Sequence, residues 1–263
     1  MGKNADKAVT QWDKYLVEIE REYREHPDDF LRQPTISRCL HPASIGWVRH
    51  YWNEIKGDQF FMCEVVPNIV DGAVGNPYRT SGEFGGLSPA SITQVYVLYL
   101  MHKHWGLYAP DNDIQHILCV GGGYGSACKI YRELGYAGRY VIADFPLMLH
   151  IQRKFLADNK ITNVEFELLN MPNLLPDSRS LLIATNSVSE MPLETRQEIE
   201  PHYKSFDYLF FSHNDYFDGI DNMEYFSGLK ERLEKLFHVD WIEDSGRNKR
   251  FNCSNWFMLC RKK

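Results

Sequence analysis

Apolar residues recur every three or four positions in the first part of the chain, a spacing that predicts amphipathic helices. The first such repeat is made by Val9, Trp12, Leu16, Ile19 and Tyr23. A second helix is predicted over residues 44–56, and a third over residues 89–104. Ser88 is the expected N-cap of the third helix, and Gly106 closes it. Residues 1–112 are therefore expected to form a helical N-terminal extension, a lid over the rest of the chain.

After residue 112 the pattern changes, because short apolar runs now alternate with helical segments. This alternation is typical of a parallel sheet with helices on both faces. Five strands are predicted near residues 116–120, 139–143, 164–169, 181–186 and 207–212. A helix near 222–236 precedes two more strands, 237–242 and 256–260, joined by a polar turn. Without a helix between them, these two strands must pair antiparallel if adjacent, or flank another strand. Residues 113–263 are thus predicted to form an α/β domain.

The first predicted strand runs directly into a glycine-rich turn. The stretch reads Ile117-Leu118-Cys119-Val120-Gly121-Gly122-Gly123-Tyr124-Gly125-Ser126. Strand, glycine turn and helix together make the opening of a nucleotide-binding βαβ unit. Glycines let the backbone turn tightly and approach a ligand, and the helix N-terminus presents free N–H groups beside it. Gly121, Gly123, Tyr124 and Gly125 are therefore candidate cofactor-binding residues.

Asp144 stands at the C-terminal end of the second predicted strand, about 20 residues after the glycines. An acid at this position usually binds the ribose hydroxyls of a nucleotide. The alternative interpretation is that Asp144 caps the helix that opens at Pro146. One side chain can serve both roles in different states.

Composition narrows the class of protein. With 263 residues, 44% hydrophobic and 14% aromatic, the chain has the composition of a folded globular protein. A formal net charge of -6 argues against a nucleic-acid backbone as the main partner. No apolar run reaches the length of a membrane span and no signal peptide is recognised, so a cytoplasmic protein is expected. The six cysteines and ten histidines show no metal-site spacing, so reduced thiols and no bound metal are expected.

A long glycine-rich stretch, residues 67–88, separates the second predicted helix from the third. Loops of this length are usually functional or disordered, and the aromatic residues in this one favour an ordered loop. Tyr78, Arg79 and Glu83 are candidate substrate contacts, with the loop lining an acceptor cleft. The alternative is that they are surface residues of the loop with no such role.

The five predicted parallel strands followed by a terminal strand pair resemble the Rossmann-like methyltransferases that use S-adenosylmethionine. The glycine turn matches their Gly-x-Gly-x-Gly motif, and Asp144 matches their ribose-binding acid. Three segments resemble the sugar O-methyltransferase family more closely: Val74-Gly75-Asn76-Pro77, the run 121–146 with its Ala143-Asp144-Phe145-Pro146, and Asn186-Ser187-Val188-Ser189-Glu190-Met191. Cys119 departs from the methyltransferase pattern, which often has an acid two residues before the first glycine. Recognition of the methionine ammonium then falls to backbone carbonyls or to another acid.

The resemblance implies a Rossmann-like methyltransferase sheet, mostly parallel with an antiparallel C-terminal strand, and S-adenosylmethionine as the cofactor. It also implies that the adenine lies beside the end of the third strand, at Asn170 and Met171. Ordinary packing is the alternative role for Met171. Ser187 and Glu190 follow the fourth strand, at the edge where ligands bind in open α/β sheets. Ser187 is therefore a further candidate for cofactor binding.

The implied reaction transfers a methyl group to a hydroxyl of a sugar or of a glycosylated acceptor. The chain must align that hydroxyl and accept its proton, because an alcohol is a poor nucleophile at neutral pH. His213, just after the fifth predicted strand, is the first candidate base because its ordinary pKa lies near neutrality. The alternative is a strand-end histidine bonded to the backbone. Glu190 is the second candidate base.

Two other functions are compatible with the sequence. One is an NAD-dependent oxidoreductase, because the glycine turn nearly fits the dinucleotide fingerprint, although Ser126 replaces its third glycine. The other is a non-catalytic cofactor-binding subunit with the same fold. The sequence names neither the acceptor nor the hydroxyl that is methylated, and it is compatible with a homo-oligomer.

Overall fold

The computed structural model describes residues 9–40, 45–80, 82–108, 114–244 and 255–263. Within these ranges the helices are α1 (Gln11–Glu25), α2 (Pro34–Leu40), α3 (Ile45–Ile55), α4 (Pro89–Trp105), α5 (Ser126–Glu133), α6 (Pro146–Asp158), α7 (Leu193–Ile199) and α8 (Asn222–Leu233). The strands are β1 (His116–Val120), β2 (Arg139–Ala143), β3 (Val164–Glu167), β4 (Ser180–Thr185), β5 (Tyr208–Asn214), β6 (Tyr216–Phe217), β7 (Ile220–Asp221), β8 (Phe237–Glu243) and β9 (Asn255–Lys262).

The ends of the N-terminal helices follow from their capping residues. Helix α1 begins at a capping box, in which Thr10 Oγ1 accepts from the Asp13 N–H at 3.1 Å and Asp13 Oδ2 accepts from the Thr10 N–H at 2.7 Å. Ser88 caps α4, and Gly106 ends it in the left-handed region with φ of 67°. Both predicted caps of α4 are confirmed.

The main sheet has seven strands in the order β3-β2-β1-β4-β5-β9-β8. Strands β1 to β5 are mutually parallel, and β9 is antiparallel to both of its neighbours. The expected fold class, an α/β fold with a mostly parallel Rossmann-like sheet and an antiparallel C-terminal strand, is confirmed. Of the two arrangements allowed for the last two strands, the adjacent antiparallel pair is the one found, because β9 pairs with β8. On its other side β9 pairs antiparallel with β5.

Three strands end two residues away from their predicted ends, since β3 stops at Glu167, β9 runs on to Lys262 and β5 runs on to Asn214. Strand β5 is the one that matters for the site, and it is longer because β9 pairs with it as far as Asn255. A short hairpin formed by β6 and β7 follows β5 and was not predicted. The hairpin stands at the carboxyl end of β5, so it lies beside the edge that carries the candidate site.

The helical extension packs directly on one face of the sheet. The ring centroids of Tyr96 in α4 and Phe257 in β9 are 5.8 Å apart, and those of Trp105 and Tyr208 are 5.1 Å apart. The other face is covered partly by α8. The predicted domain boundary falls within residues 109–113, outside the described residues, so that division stays a prediction. In the described part of the chain, no helix has the length and apolar character needed to cross a membrane.

Candidate functional site

The glycine turn lies at the carboxyl edge of the sheet, where the strand order changes direction between β1 and β4. The Gly121 N–H donates to the Ala143 carbonyl of β2 at 2.9 Å, which ties the turn to the neighbouring strand. The backbone is left-handed at Gly121, Gly123 and Gly125, with φ of 72°, 58° and 104°. Helix α5 then begins directly after the turn. The predicted strand, turn and helix therefore follow one another as expected.

Gly121 and Gly123 are required for different reasons. A Cβ atom on Gly121 would lie 2.3 Å from Cβ of Ser187, a distance that the packing does not allow. A Cβ atom on Gly123 would have no described atom within 4 Å. Gly121 thus allows the fourth strand's loop to pack on the turn, whereas Gly123 leaves a bare surface that a ligand can approach.

Asp144 lies beside the turn and is half-buried. Its Oδ1 accepts from the Phe145 N–H at 2.8 Å, and its Oδ2 accepts from the Gln152 side-chain amide at 2.7 Å. Burial raises the pKa of Asp144 to about 6, although the hydrogen bonds act in the opposite direction. The N-cap of α6 is Phe145 and has no side-chain cap. Asp144 therefore does not act as the N-cap of α6, which was the alternative role considered for it.

The segment after β4 packs against the turn through Ser187. Ser187 Oγ donates to the Val120 carbonyl at 2.5 Å, at the end of β1. Arg196 stabilises the same segment from the core side. It is fully buried and donates to the carbonyls of Ser189 at 2.6 Å and Met191 at 2.8 Å. Arg196 was not singled out from the sequence, although a charged residue at a buried helical position is a usable signal.

Helix α1 crosses the same edge and contacts the candidate base. Trp12 Nε1 donates to Glu190 Oε2 at 2.8 Å, and the Trp12 ring lies 6.1 Å from the Phe145 ring. The helix N-terminus is fixed at the hairpin, where the Gln11 N–H donates to Asp218 Oδ2 at 2.9 Å. The helical repeat assigned Trp12 to a core face, so its contact with Glu190 is new information from the structure.

The ends of β2 and β3 present apolar side chains to solvent. Phe145 is 43% exposed and Leu168 is 58% exposed, and neither was predicted as a site residue. Of the two predicted adenine contacts, Asn170 is exposed and Met171 is buried in the core. Tyr124 is also buried, with its ring 4.9 Å from that of Phe155 and in edge-to-face geometry. The sequence shows only a phenylalanine directly after Asp144, and its exposure is known from the structure.

His213 lies in the core and not at the mouth of the site, which corrects its predicted position. Its side chain is fully buried, stacked 4.0 Å from the Phe226 ring and edge-on to Trp241 at 5.4 Å. Burial lowers the pKa of His213 to about 4, and its Nε2 has no hydrogen-bond partner among the described residues. The reason is the extended β5, whose alternation turns Phe211 and His213 toward α8.

The three predicted substrate contacts lie on the loop that precedes α4, and each makes contacts within the chain. Arg32 stacks on the Tyr78 ring at 3.9 Å, Arg79 donates to the Asp71 carbonyl at 3.0 Å, and Glu83 accepts from Arg49 at 3.0 Å. The contacts of Tyr78 and Glu83 join the loop to earlier parts of the extension, and the contact of Arg79 lies within the loop. Among the described residues, no group of three or more His, Cys, Asp and Glu side chains has the arrangement of a metal site.

Comparison with known proteins gives a likeness of fold. No family model matches the chain, and no curated protein matches its sequence. The chain is similar to the PH0226 protein of Pyrococcus horikoshii OT3, with 14% identity and a TM-score of 0.47 over 67% of this chain and 92% of that chain. It is similar to a precorrin-6y C5,15-methyltransferase of Geobacter metallireducens, with 16% identity and a TM-score of 0.42 over 67% of this chain and 89% of that chain. It is also similar to an rRNA methylase of Streptococcus thermophilus, with 16% identity and a TM-score of 0.42 over 57% of this chain and 87% of that chain.

Proposed function

We propose that this chain is an S-adenosylmethionine-dependent methyltransferase whose cofactor binds along the glycine turn. The observation that carries the proposal is the bare surface at Gly123 beside the Asp144 carboxylate, at adjoining strand ends of this sheet. An ionised Asp144 accepts charge-assisted hydrogen bonds from the two ribose hydroxyls. The backbone of Gly123 approaches the cofactor closely because no side chain intervenes.

Residues beyond Asp144 suit the adenine. Ala143 pairs with Glu167 in the sheet, so the residues that follow, Asp144 and Leu168, are next to each other at its edge. Exposed Phe145 and Leu168 provide apolar surface for a flat ring. In this proposal Asn170 contributes a polar contact, and Met171 supports the pocket by packing beneath it. Tyr124 likewise supports the turn from the core while its backbone borders the ligand.

Glu190 is assigned the role of proton acceptor. S-adenosylmethionine, when bound, supplies an activated methyl group, so the chain must align the attacking hydroxyl and remove its proton. Glu190 follows Ser187, which contacts the glycine turn, and Trp12 orients its carboxylate. We prefer Glu190 to His213 because the imidazole is enclosed by core aromatic rings and no hydroxyl can reach it.

The acceptor is proposed to be a sugar hydroxyl or a hydroxyl of a glycosylated molecule. Three segments of the sequence resemble the sugar O-methyltransferase family. In addition, the half-buried Trp12 ring donates its N–H to the Glu190 carboxylate, and Tyr216 of β6, next to the 188–190 turn, is 63% exposed. Aromatic faces pack against the apolar faces of sugar rings, and carboxylates accept hydrogen bonds from hydroxyls. Tyr78, Arg79 and Glu83 stay predicted substrate contacts at the loop.

Calorimetric titration of the purified chain tests the cofactor. S-adenosylmethionine and S-adenosylhomocysteine are expected to bind, NAD is not, and Asp144→Ala should weaken binding by about 1–3 kcal/mol because it removes charge-assisted hydrogen bonds. Binding of NAD alone would favour the oxidoreductase. Transfer of labelled methyl groups to a panel of sugars, followed as a mass gain, tests the acceptor. Cofactor binding with no transfer to any sugar would contradict the sugar acceptor.

A further inference from the structure

Gln152 has an unusual position on α6. Its side chain is fully buried, on the stripe that otherwise carries Met148, Leu149, Phe155 and Leu156. An apolar residue is the ordinary choice at such a helical position. A buried amide there needs a polar partner, and it finds two at the carboxyl edge of the sheet.

The Gln152 amide joins the two parts of the candidate cofactor site. Its Nε2 donates to the Gly123 carbonyl at 2.9 Å and to Asp144 Oδ2 at 2.7 Å. Both partners are acceptors, so the nitrogen must face them and the amide orientation is determined. Both N–H bonds of one group are thus used to fix the glycine turn relative to the acid.

The middle glycine of the turn is enclosed by two side chains. A Cβ atom on Gly122 would lie 2.6 Å from Cγ2 of Ile142 in β2, which the packing does not allow, and 3.2 Å from Gln152 Nε2, which is a tight contact. The Gly-x-Gly-x-Gly motif does not require glycine at this position. Glycine here therefore lets the turn pack on β2 and also leaves room for the Gln152 amide beside it.

Gln152 also leaves one of its own polar atoms unsatisfied. Its Oε1 is buried with no hydrogen-bond partner among the described residues. A side chain chosen only for stability would avoid an unpaired buried acceptor. The position therefore keeps an amide for its two donated hydrogen bonds.

We infer that Gln152 is a positioning residue for the cofactor, one that locks the glycine turn and Asp144 in the geometry that binds ribose. The inference rests on the proposed function, since it assumes an S-adenosyl ligand at this turn. Gln152 acts through Asp144 and Gly123, which border the ligand. The Gln152 N–H favours the ionised form of Asp144, the form that accepts hydrogen bonds from hydroxyls.

Among the described residues, the groups around the Asp144 carboxyl are few. Its hydrogen-bond donors are the Phe145 N–H and the Gln152 amide, and the nearby Gly122 N–H also favours its ionised form. The titratable neighbour that interacts with it is the Cys119 thiol, whose pKa is raised by burial to about 12. That thiol stays neutral in the range where Asp144 titrates. Loss of the Gln152 donor is therefore expected to change the titration of Asp144 directly.

The test measures the dissociation constant of S-adenosylhomocysteine over a pH series from about 5 to about 8.5, which spans the pKa of Asp144. For the wild type, affinity should fall as the pH drops through about 6, because Asp144 becomes protonated. Gln152→Met should bind S-adenosylhomocysteine at least about tenfold more weakly at neutral pH. The midpoint of its affinity-against-pH curve should move to higher pH, because Asp144 has lost a donor that favours its ionised form. Lys154→Met, an exposed change on the same helix, is the matched control and should leave both quantities unchanged.

Circular dichroism and thermal unfolding establish that each variant is folded. If Gln152→Met fails to fold, Gln152→Glu replaces it, because an ionised carboxylate repels both the Gly123 carbonyl and Asp144 and should bind more weakly as pH rises. A folded Gln152→Met with wild-type affinity would overturn the inference. Weaker affinity with an unmoved midpoint would overturn the coupling to Asp144. Absence of binding by the wild type contradicts the proposed function itself and removes this inference with it.

Discussion

Glu190 follows β4 and His213 lies within the neighbouring strand β5, and only Glu190 lies outside the core at the edge of the sheet. Glu190→Gln keeps the side-chain size and an acceptor for Trp12 but cannot take up a proton. We expect it to lose at least about 100-fold in methyl transfer to a sugar, with S-adenosylhomocysteine affinity unchanged. His213→Phe should retain transfer, because a phenyl ring can stack on Phe226 in place of the imidazole. If His213→Phe loses methyl transfer and Glu190→Gln keeps it, then His213 and not Glu190 is the proton acceptor.

His213 also affects the acid stability of the chain. The pKa of His213 is lowered in the folded chain to about 4, so the unfolded chain takes up its proton first as pH falls. His213 therefore contributes stability above its ordinary pKa of about 6.5, and this contribution is lost as pH falls toward about 4. Urea unfolding of His213→Phe across this window should show a smaller loss than the wild type. Equal losses would contradict the burial of a neutral imidazole.

At the scale of elements, two glycines of the same turn are expected to serve different purposes, Gly121 in packing and Gly123 in ligand binding. Gly121→Ala should lower the free energy of unfolding by about 2–4 kcal/mol, because it combines left-handed strain with a clash against Ser187. Gly123→Ala meets no neighbour, so only the strain of about 1–2 kcal/mol applies. Its main effect should be weaker binding of S-adenosylhomocysteine. Urea unfolding and calorimetry measure the two effects, and wild-type affinity in a folded Gly123→Ala would locate the cofactor elsewhere.

The whole molecule is expected to unfold as one unit, because the extension and the sheet share apolar contacts. Trp105 is in the extension and packs on Tyr208 of β5. Trp105→Ala should therefore destabilise the sheet as well, by about 3–5 kcal/mol, in a single transition. Lys103→Ala, an exposed change in the same helix, should cost no more than about 0.5 kcal/mol. Two separate transitions in urea, detected by circular dichroism and tryptophan fluorescence, would contradict a shared core.

Local patterns were sufficient for most elements of this chain. Apolar periodicity and caps such as Ser88 and Gly106 depend on residues close in sequence, so most helices and strands could be predicted without a fold. The short helix α2 and the β6–β7 hairpin were not predicted. The meeting of Gly121, Asp144 and Ser187 was predictable for a related reason. Each follows a parallel strand, and the carboxyl ends of parallel strands share one edge of the sheet. By itself, the sequence determined the α/β class and the edge at which the candidate site lies.

Only the tertiary structure decided which side chains reach that edge. His213 lies in the core because β9 extends β5 past its predicted end. The pairing that does this joins Asn214 to Asn255, more than 40 residues later in the chain. Trp12 meets Glu190 across 178 positions of sequence, and Gln152 reaches Gly123 across 29. Periodicity assigns a residue to the buried side of its own helix or strand. It cannot say which distant element supplies the neighbour, because that depends on how the elements pack together.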